Sequence, residues 1–161
     1  MSGGSAFSGA AIVYDDAIDV RSPRDVQTDF AEALQFAEFI EAMRGLARYG
    51  GLTEGLDGEG ETDRVDVTLF GFLKTPGHTM HVEKRDRSAR VLQSREHDRS
   101  VSRWDHTLSV QPEGQGCRWT GGVVIDAARG AWATARFARH VHARRHRHRG
   151  ALSISKAIRR P

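Results

Sequence analysis

The chain has 161 residues, 39% of them hydrophobic and 28% charged, which is enough for one domain with a core of its own and too little for two. A single cysteine, Cys117, excludes an internal disulfide and a four-cysteine zinc site, and no apolar run approaches the roughly 20 residues of a membrane span. The net charge of +3 hides an asymmetry: the last 35 residues carry ten Lys/Arg and no acid, while every Asp and Glu lies before them. Residues 1–10 (MSGGSAFSGA) read as a flexible N-terminus without the basic-then-apolar pattern of a secretory signal, so a cytoplasmic protein is expected.

Ile12 to Val20 is β-branched and reads as a first strand. Ser22-Pro23 then signals a helix start, with Ser22 as the cap, Pro23 at the first helical position and Asp25 in the first turn. Val26, Phe30, Ala33, Leu34 and Ala37 recur at steps of three and four, and Phe36, Phe39, Ile40, Met43 and Leu46 mark a second helical stretch. Glycines at 50, 51, 55, 58 and 60 interrupt a weak strand, after which Arg64 to Lys74 has β character up to a turn at Thr75-Pro76-Gly77. Four more segments follow, His78–Lys84, Arg90–His97, Ser102–Gln111 and Cys117–Asp126, with breaks short enough to demand antiparallel neighbours.

Alternation assigns faces within these strands. Trp104, His106, Leu108 and Val110 fall on one side and Arg103, Asp105, Thr107 and Ser109 on the other; Cys117, Trp119, Gly121, Val123 and Ile125 form the inward set of the last strand. Ala127 to Arg149 reads as a long helix with Ala131, Thr134, Ala135, Ala138 and Val141 as its packed stripe, Arg136, His140 and Arg147 opposite, and Gly150 as an end signal before a basic tail over 151–161. The class is α+β: a curved antiparallel sheet of about seven strands wrapped around a long C-terminal helix, with a short helix pair after strand one. The alanine-rich stripe leaves room for a cavity between sheet and helix, a natural place for an apolar ligand.

The junction at 18–30 with Ser22-Pro23-Arg24-Asp25-Val26, the segment Ser102-Arg103-Trp104-Asp105-His106, and the stretch from Phe137 ending His146-Arg147-His148-Arg149 together resemble the START-related SRPBCC superfamily, its polyketide cyclase/dehydrase and lipid-transport branch in particular. The chain departs from that pattern at Phe36-Ala37-Glu38-Phe39-Ile40, where many members carry proline and tryptophan. The resemblance implies a helix-grip fold over 11–150 and a deep hydrophobic cavity for a lipid, polyketide, sterol or quinone. It implies no cofactor and leaves carrier, cyclase and other roles open.

The inward apolar set expected to touch such a ligand is Leu69, Met80, Val82, Leu92, Trp104, Leu108, Trp119 and Val123. Glu96 and His106 are the candidate acid/base pair of a cyclase or dehydratase, since a tight hairpin at 98–102 places Glu96 opposite Trp104 and diagonal to His106. The plainer alternative makes His106 a hydrogen-bonded wall residue with Glu96 at the rim. His78 and His81 lie on opposite faces of one strand, and Met80 and Val82 look more like cavity wall than either. His142 and His146 have a zinc-compatible spacing but no carboxylate near them, so no metal is expected. The basic stretch 136–149 reads first as a solvated helix end; an anionic surface, an acidic partner or nucleic acid are its alternative uses.

Overall fold

The computed structural model describes residues 11–35, 39–41, 43–51, 58–99, 101–127 and 131–158. Seven strands are present: β1 (Ala11–Ser22), β2 (Ala47–Gly50), β3 (Thr62–Leu69), β4 (Leu73–Asp86), β5 (Val91–His97), β6 (Arg103–Glu113) and β7 (Gly116–Ala127). Helix α1 (Val26–Ala33) follows β1, and a long α2 (Ala131–Ile158) closes the chain. The strands form one antiparallel sheet in the order β1-β7-β6-β5-β4-β3-β2, so the first strand crosses to the far edge and zips onto the last. The sheet curls into a half-barrel around α2.

The local chemistry departs from the expected punctuation in four places. The cap of α1 is Asp25, whose carboxylate accepts from the Thr28 N–H at 2.9 Å; Ser22 ends β1 instead and accepts from the Arg24 N–H at 3.3 Å. The break expected at Thr75-Pro76-Gly77 lies inside β4, at a bulge opposite Asp66 where a residue without an N–H is tolerated and the Gly77 N–H donates to the Asp66 carboxylate at 2.9 Å. The reversal between β3 and β4 is made earlier, by Phe70 and Gly71, both with positive φ (52° and 80°). Finally, Ala127, the expected helix start, ends β7, and α2 as described from Ala131 runs through Gly150 to Ile158. Gly150 is there for close approach: a Cβ on it would lie 3.0 Å from Val20 Cγ1 of β1. The expected second helical stretch is seen as helical backbone at 39–41 followed by a turn into β2; Phe36, Ala37, Glu38 and Ala42 lie outside the described residues.

The inward faces hold: Val110, Cys117, Trp119, Val123 and Ile125 are all buried, and each large side chain removed from water contributes roughly 1.5–3 kcal/mol. Asp105, expected on the solvent side of β6, is buried as well, because Arg95 and Arg103 pair with its carboxylate and cover it. Phe30, Ala33 and Leu34 of α1 pack on Leu108, Val110, Cys117 and Trp119. This end is tied by a buried ionic knot in which Asp29 pairs with Arg24 at 3.1 Å and accepts from Trp119 Nε1–H at 2.7 Å and from the Cys117 thiol at 3.2 Å. Burial and the neighbouring Asp29 push the Cys117 thiol up to about 12, which makes it an unreactive filler. At the other end Val101, Val123, Ile125 and Ala138 pack with Trp104, and Met43, Leu46 and Val141 pack with Phe70 and Phe137. Between the two ends the interior is not filled.

Candidate functional site: a cavity with a polar floor

A cavity of about 330 Å³ lies between the concave face of the sheet and α2. Its walls are apolar, with Phe39, Met43, Val67, Leu69, Trp104 and Val123 facing Phe137, Ala138 and Val141. Small residues on α2 make the space, since Ala133, Thr134 and Ala138 stand where bulkier side chains would fill it. A second cavity of about 80 Å³ adjoins it under α1; Phe39, Glu96, His106 and Arg145 line both.

Of the expected contact residues, Leu69, Trp104 and Val123 line the main cavity, while Met80, Val82, Leu92 and Leu108 line the smaller one. Trp119 lines neither. It is sealed between α1 and α2, with the Arg149 guanidinium 4.7 Å above its ring, because its position close to the turn of the β6–β7 hairpin puts it under α1.

The polar residues of the floor form a line across three strands, and pairing register explains it. Met80 opposes Glu96 and Thr79 opposes His97, so His78 falls opposite Asp98 and diagonal to Glu96. Ser94 opposes His106, which brings Glu96 diagonal to His106 on its other side. His78 Nε2 lies 2.9 Å from Glu96 Oε2 and its Nδ1 3.1 Å from Asp98 Oδ2. Glu96 Oε1 accepts from the Ser94 hydroxyl at 2.7 Å and lies 3.8 Å from His106 Nε2. Arg145 of α2 completes the group, 3.4 Å from His106 Nδ1 and stacked 4.7 Å over the Phe39 ring.

These contacts assign charges. Burial works against the His78 cation, but the hydrogen bonds to Asp98 and Glu96 outweigh it and raise its pKa to about 9, so His78 is an imidazolium at neutral pH. Burial also works against the Glu96 carboxylate, yet His106, His78 and the Ser94 hydroxyl hold it ionised. His106 is driven the other way, to about 4, by burial and by Arg145 against the pull of Glu96. A neutral His106 accepts from Arg145 at Nδ1 and turns its Nε2–H toward Glu96. Burial raises the Tyr49 phenol well above its ordinary value, so this cavity-wall hydroxyl stays protonated.

His106 and Glu96 therefore stand on the cavity as expected, and Glu96 is not at a rim but 6% exposed. His78 corrects the reading that set it below Met80 and Val82: all three share one face of β4, and that shared parity was the available signal. His81 points away and contacts Thr62 on the outer face. The basic stretch 136–149 also divides. Arg136, Arg139, Arg144 and Arg147 are exposed, whereas His142, Arg145, His146 and Arg149 are buried, so half of the supposedly solvated helix end faces the sheet. His142 donates from Nε2 to the Gly121 carbonyl at 3.0 Å, and burial together with Arg145 lowers it to about 4. His146 packs edge-on against His142 and is lowered to about 2 by the same causes. Among the described residues no group of three or more His, Cys, Asp or Glu side chains is placed to hold a metal ion. Among them, too, no helix is long and apolar enough to cross a membrane.

The seven-stranded half-barrel closed by a C-terminal helix is a helix-grip fold, the architecture seen in Bet v1-like proteins. Solved structures place the likeness. Ara h 8.0201 superposes with a TM-score of 0.66 at 9% identity, covering 90% of this chain and 99% of its own. Norcoclaurine synthase from Thalictrum flavum, in complex with dopamine and hydroxybenzaldehyde, gives 0.66 at 10% identity over 100% and 96%. Protein CV1439 from Chromobacterium violaceum gives 0.66 at 9% identity over 86% and 96%. No protein-family model and no curated protein matches the sequence significantly.

Proposed function

We propose that this protein binds a small hydrophobic molecule, of the lipid, polyketide, sterol or quinone class, in the cavity between the sheet and α2. The observation that carries the reading is the cavity itself: about 330 Å³, within the range of small-molecule sites, walled by Leu69, Trp104, Val123, Phe137 and Val141 and furnished with a few polar groups at one end. The neighbouring structures share the architecture, and one of them, norcoclaurine synthase, was solved holding small aromatic molecules. The test is extraction of the purified protein with organic solvent followed by mass spectrometry, with calorimetric titration of candidate ligands. A protein that is empty on purification and without measurable affinity for lipids or aromatic polyketides refutes it.

A second reading, an acid/base enzyme of the cyclase or dehydratase type, is favoured by the floor. Glu96 is ionised and buried, His106 is neutral beside it at 3.8 Å, and His78 supplies a cation on the opposite side. In this reading Glu96 takes a proton from a ligand carbon or hydroxyl, and the His106 N–H and the Tyr49 hydroxyl donate to the oxygen where charge develops. Glu96→Gln and His106→Gln should then abolish turnover of a bound ligand while leaving its affinity within a fewfold; unchanged turnover in both removes the enzyme. The exposed Arg136, Arg139, Arg144 and Arg147 are the groups an acidic partner or anionic surface would meet, and such binding must weaken as salt rises.

A further inference from the structure

The smaller cavity has a chemistry the larger one lacks. Three guanidiniums line its 80 Å³: Arg85 from β4, and Arg145 and Arg149 from successive turns of α2, where a spacing of four puts both on the face turned to the sheet. Arg145 and Arg149 are 8% and 1% exposed. Arg145 sits at the neck, lining both cavities. Each of these two stacks on an aromatic ring, Phe39 and Trp119 respectively, which holds the planar group in place. Arg85 donates from Nη2 to the Leu34 carbonyl at 3.0 Å, and its Nε is buried with no hydrogen-bond partner among the described residues.

A buried N–H without an acceptor costs about 1–3 kcal/mol and is retained where something supplies the acceptor. Among the described residues, the one carboxylate on the wall of the smaller cavity, Glu96, is engaged by His78 at 2.9 Å and by Ser94 at 2.7 Å. The positive field reaches the surrounding imidazoles, since Arg145 contributes to the lowered pKa of His106, His142 and His146.

We infer that the smaller cavity is an oxyanion site: the ligand is an amphipathic acid whose apolar body fills the main cavity and whose carboxylate passes the neck to sit among Arg85, Arg145 and Arg149. The forked donors of arginine match a carboxylate in two-point geometry, and a small space lined by three of them discriminates acid from alcohol or ester. This inference rests on the cavity being the ligand site, and it narrows the ligand class to one with a negative head.

The test compares decanoate with 1-decanol, which share a chain and differ at the head, by calorimetric titration of the intact protein at neutral pH. Decanoate should bind at least about tenfold tighter, and Arg85→Met and Arg145→Met should each bring the ratio toward unity; Arg85→Met, at a residue off the main cavity, should also leave 1-decanol affinity within about twofold. Arg85 is the less buried of the two, so its variant decides if Arg145→Met fails to fold by circular dichroism. Equal binding of acid and alcohol to the wild-type protein overturns the oxyanion site and leaves the hydrophobic cavity standing. A preference for decanoate that survives the Arg85 and Arg145 substitutions overturns it as well. Binding of neither molecule overturns the cavity reading and this inference with it.

Discussion

Gly121 of β7 faces His146 so closely that a Cβ added there would lie 1.9 Å from His146 Cε1 and 2.2 Å from Nε2. Ordinary contact begins near 3.4 Å, so Gly121→Ala forces the ring to move by well over an ångström. It has nowhere to go: His146 is 2% exposed, with the His142 ring 4.6 Å away and β7 beneath it. Overpacking of this kind costs about 1–3 kcal/mol. For a chain of this size each kcal/mol lowers Tm by roughly 2–4 °C, so a fall of several degrees is expected. His146→Ala removes the obstructing ring and opens space of its own, destabilising the protein by itself. The double variant should recover part of both losses, because the new methyl occupies space the ring left. Urea unfolding of the wild type, both single variants and the double measures the coupling, expected to exceed about 1 kcal/mol. Additivity to within about 0.5 kcal/mol would refute the packing of α2 against β7 through this pair.

The buried histidines predict opposite pH dependences. His106, His142 and His146 are held neutral, with pKa values near 4, 4 and 2 against an ordinary 6.5, so below pH 6.5 the unfolded chain takes up protons the folded one refuses. Stability should fall by about 1 kcal/mol per histidine per pH unit from 6.5 downward. The urea midpoint at pH 7.0, 6.0 and 5.0 reads this, and a flat profile contradicts their burial. His78 is raised to about 9, so its contribution is complete below 6.5 and fades as pH rises through 9; His78→Gln should flatten the alkaline limb alone. Thr134→Phe projects a ring into the main cavity from a half-buried position on α2 and should weaken ligand binding tenfold or more with little change in Tm, measured by calorimetry and thermal melts. Trp119→Phe removes the 2.7 Å hydrogen bond to Asp29 and should cost about 1.5–3 kcal/mol in stability while leaving ligand affinity unchanged, since Trp119 lines neither cavity.

Much of this molecule is written in short-range pattern. The period-two alternation of β6 and β7 named the buried faces, from Trp104 to Val110 and from Cys117 to Ile125, because a strand's side chains alternate whatever it pairs with. The same parity put His106 on the cavity, and Thr134, Ala138 and Val141 of the expected stripe line the space beneath α2, whereas Ala135 turns to the outer side with Arg136 and Arg139. What the sequence could not decide were distances between strands and the seating of the helix. His78, Glu96, Asp98 and His106 become one cluster only through the registers of β4 on β5 and β5 on β6, and a slip of one residue would scatter them to opposite faces. Pro76 looked like a turn because its missing N–H is a local fact, whereas the bulge that accommodates it exists only once β3 is alongside. Gly150 looked like a helix end because an isolated helix gains from glycine only there; in the folded chain it lets α2 lie against Val20 and continue. The basic run looked solvated for a similar reason. Local sequence sees the cost of burying Arg145 and Arg149, but only the tertiary structure supplies the rings of Phe39 and Trp119 that receive them.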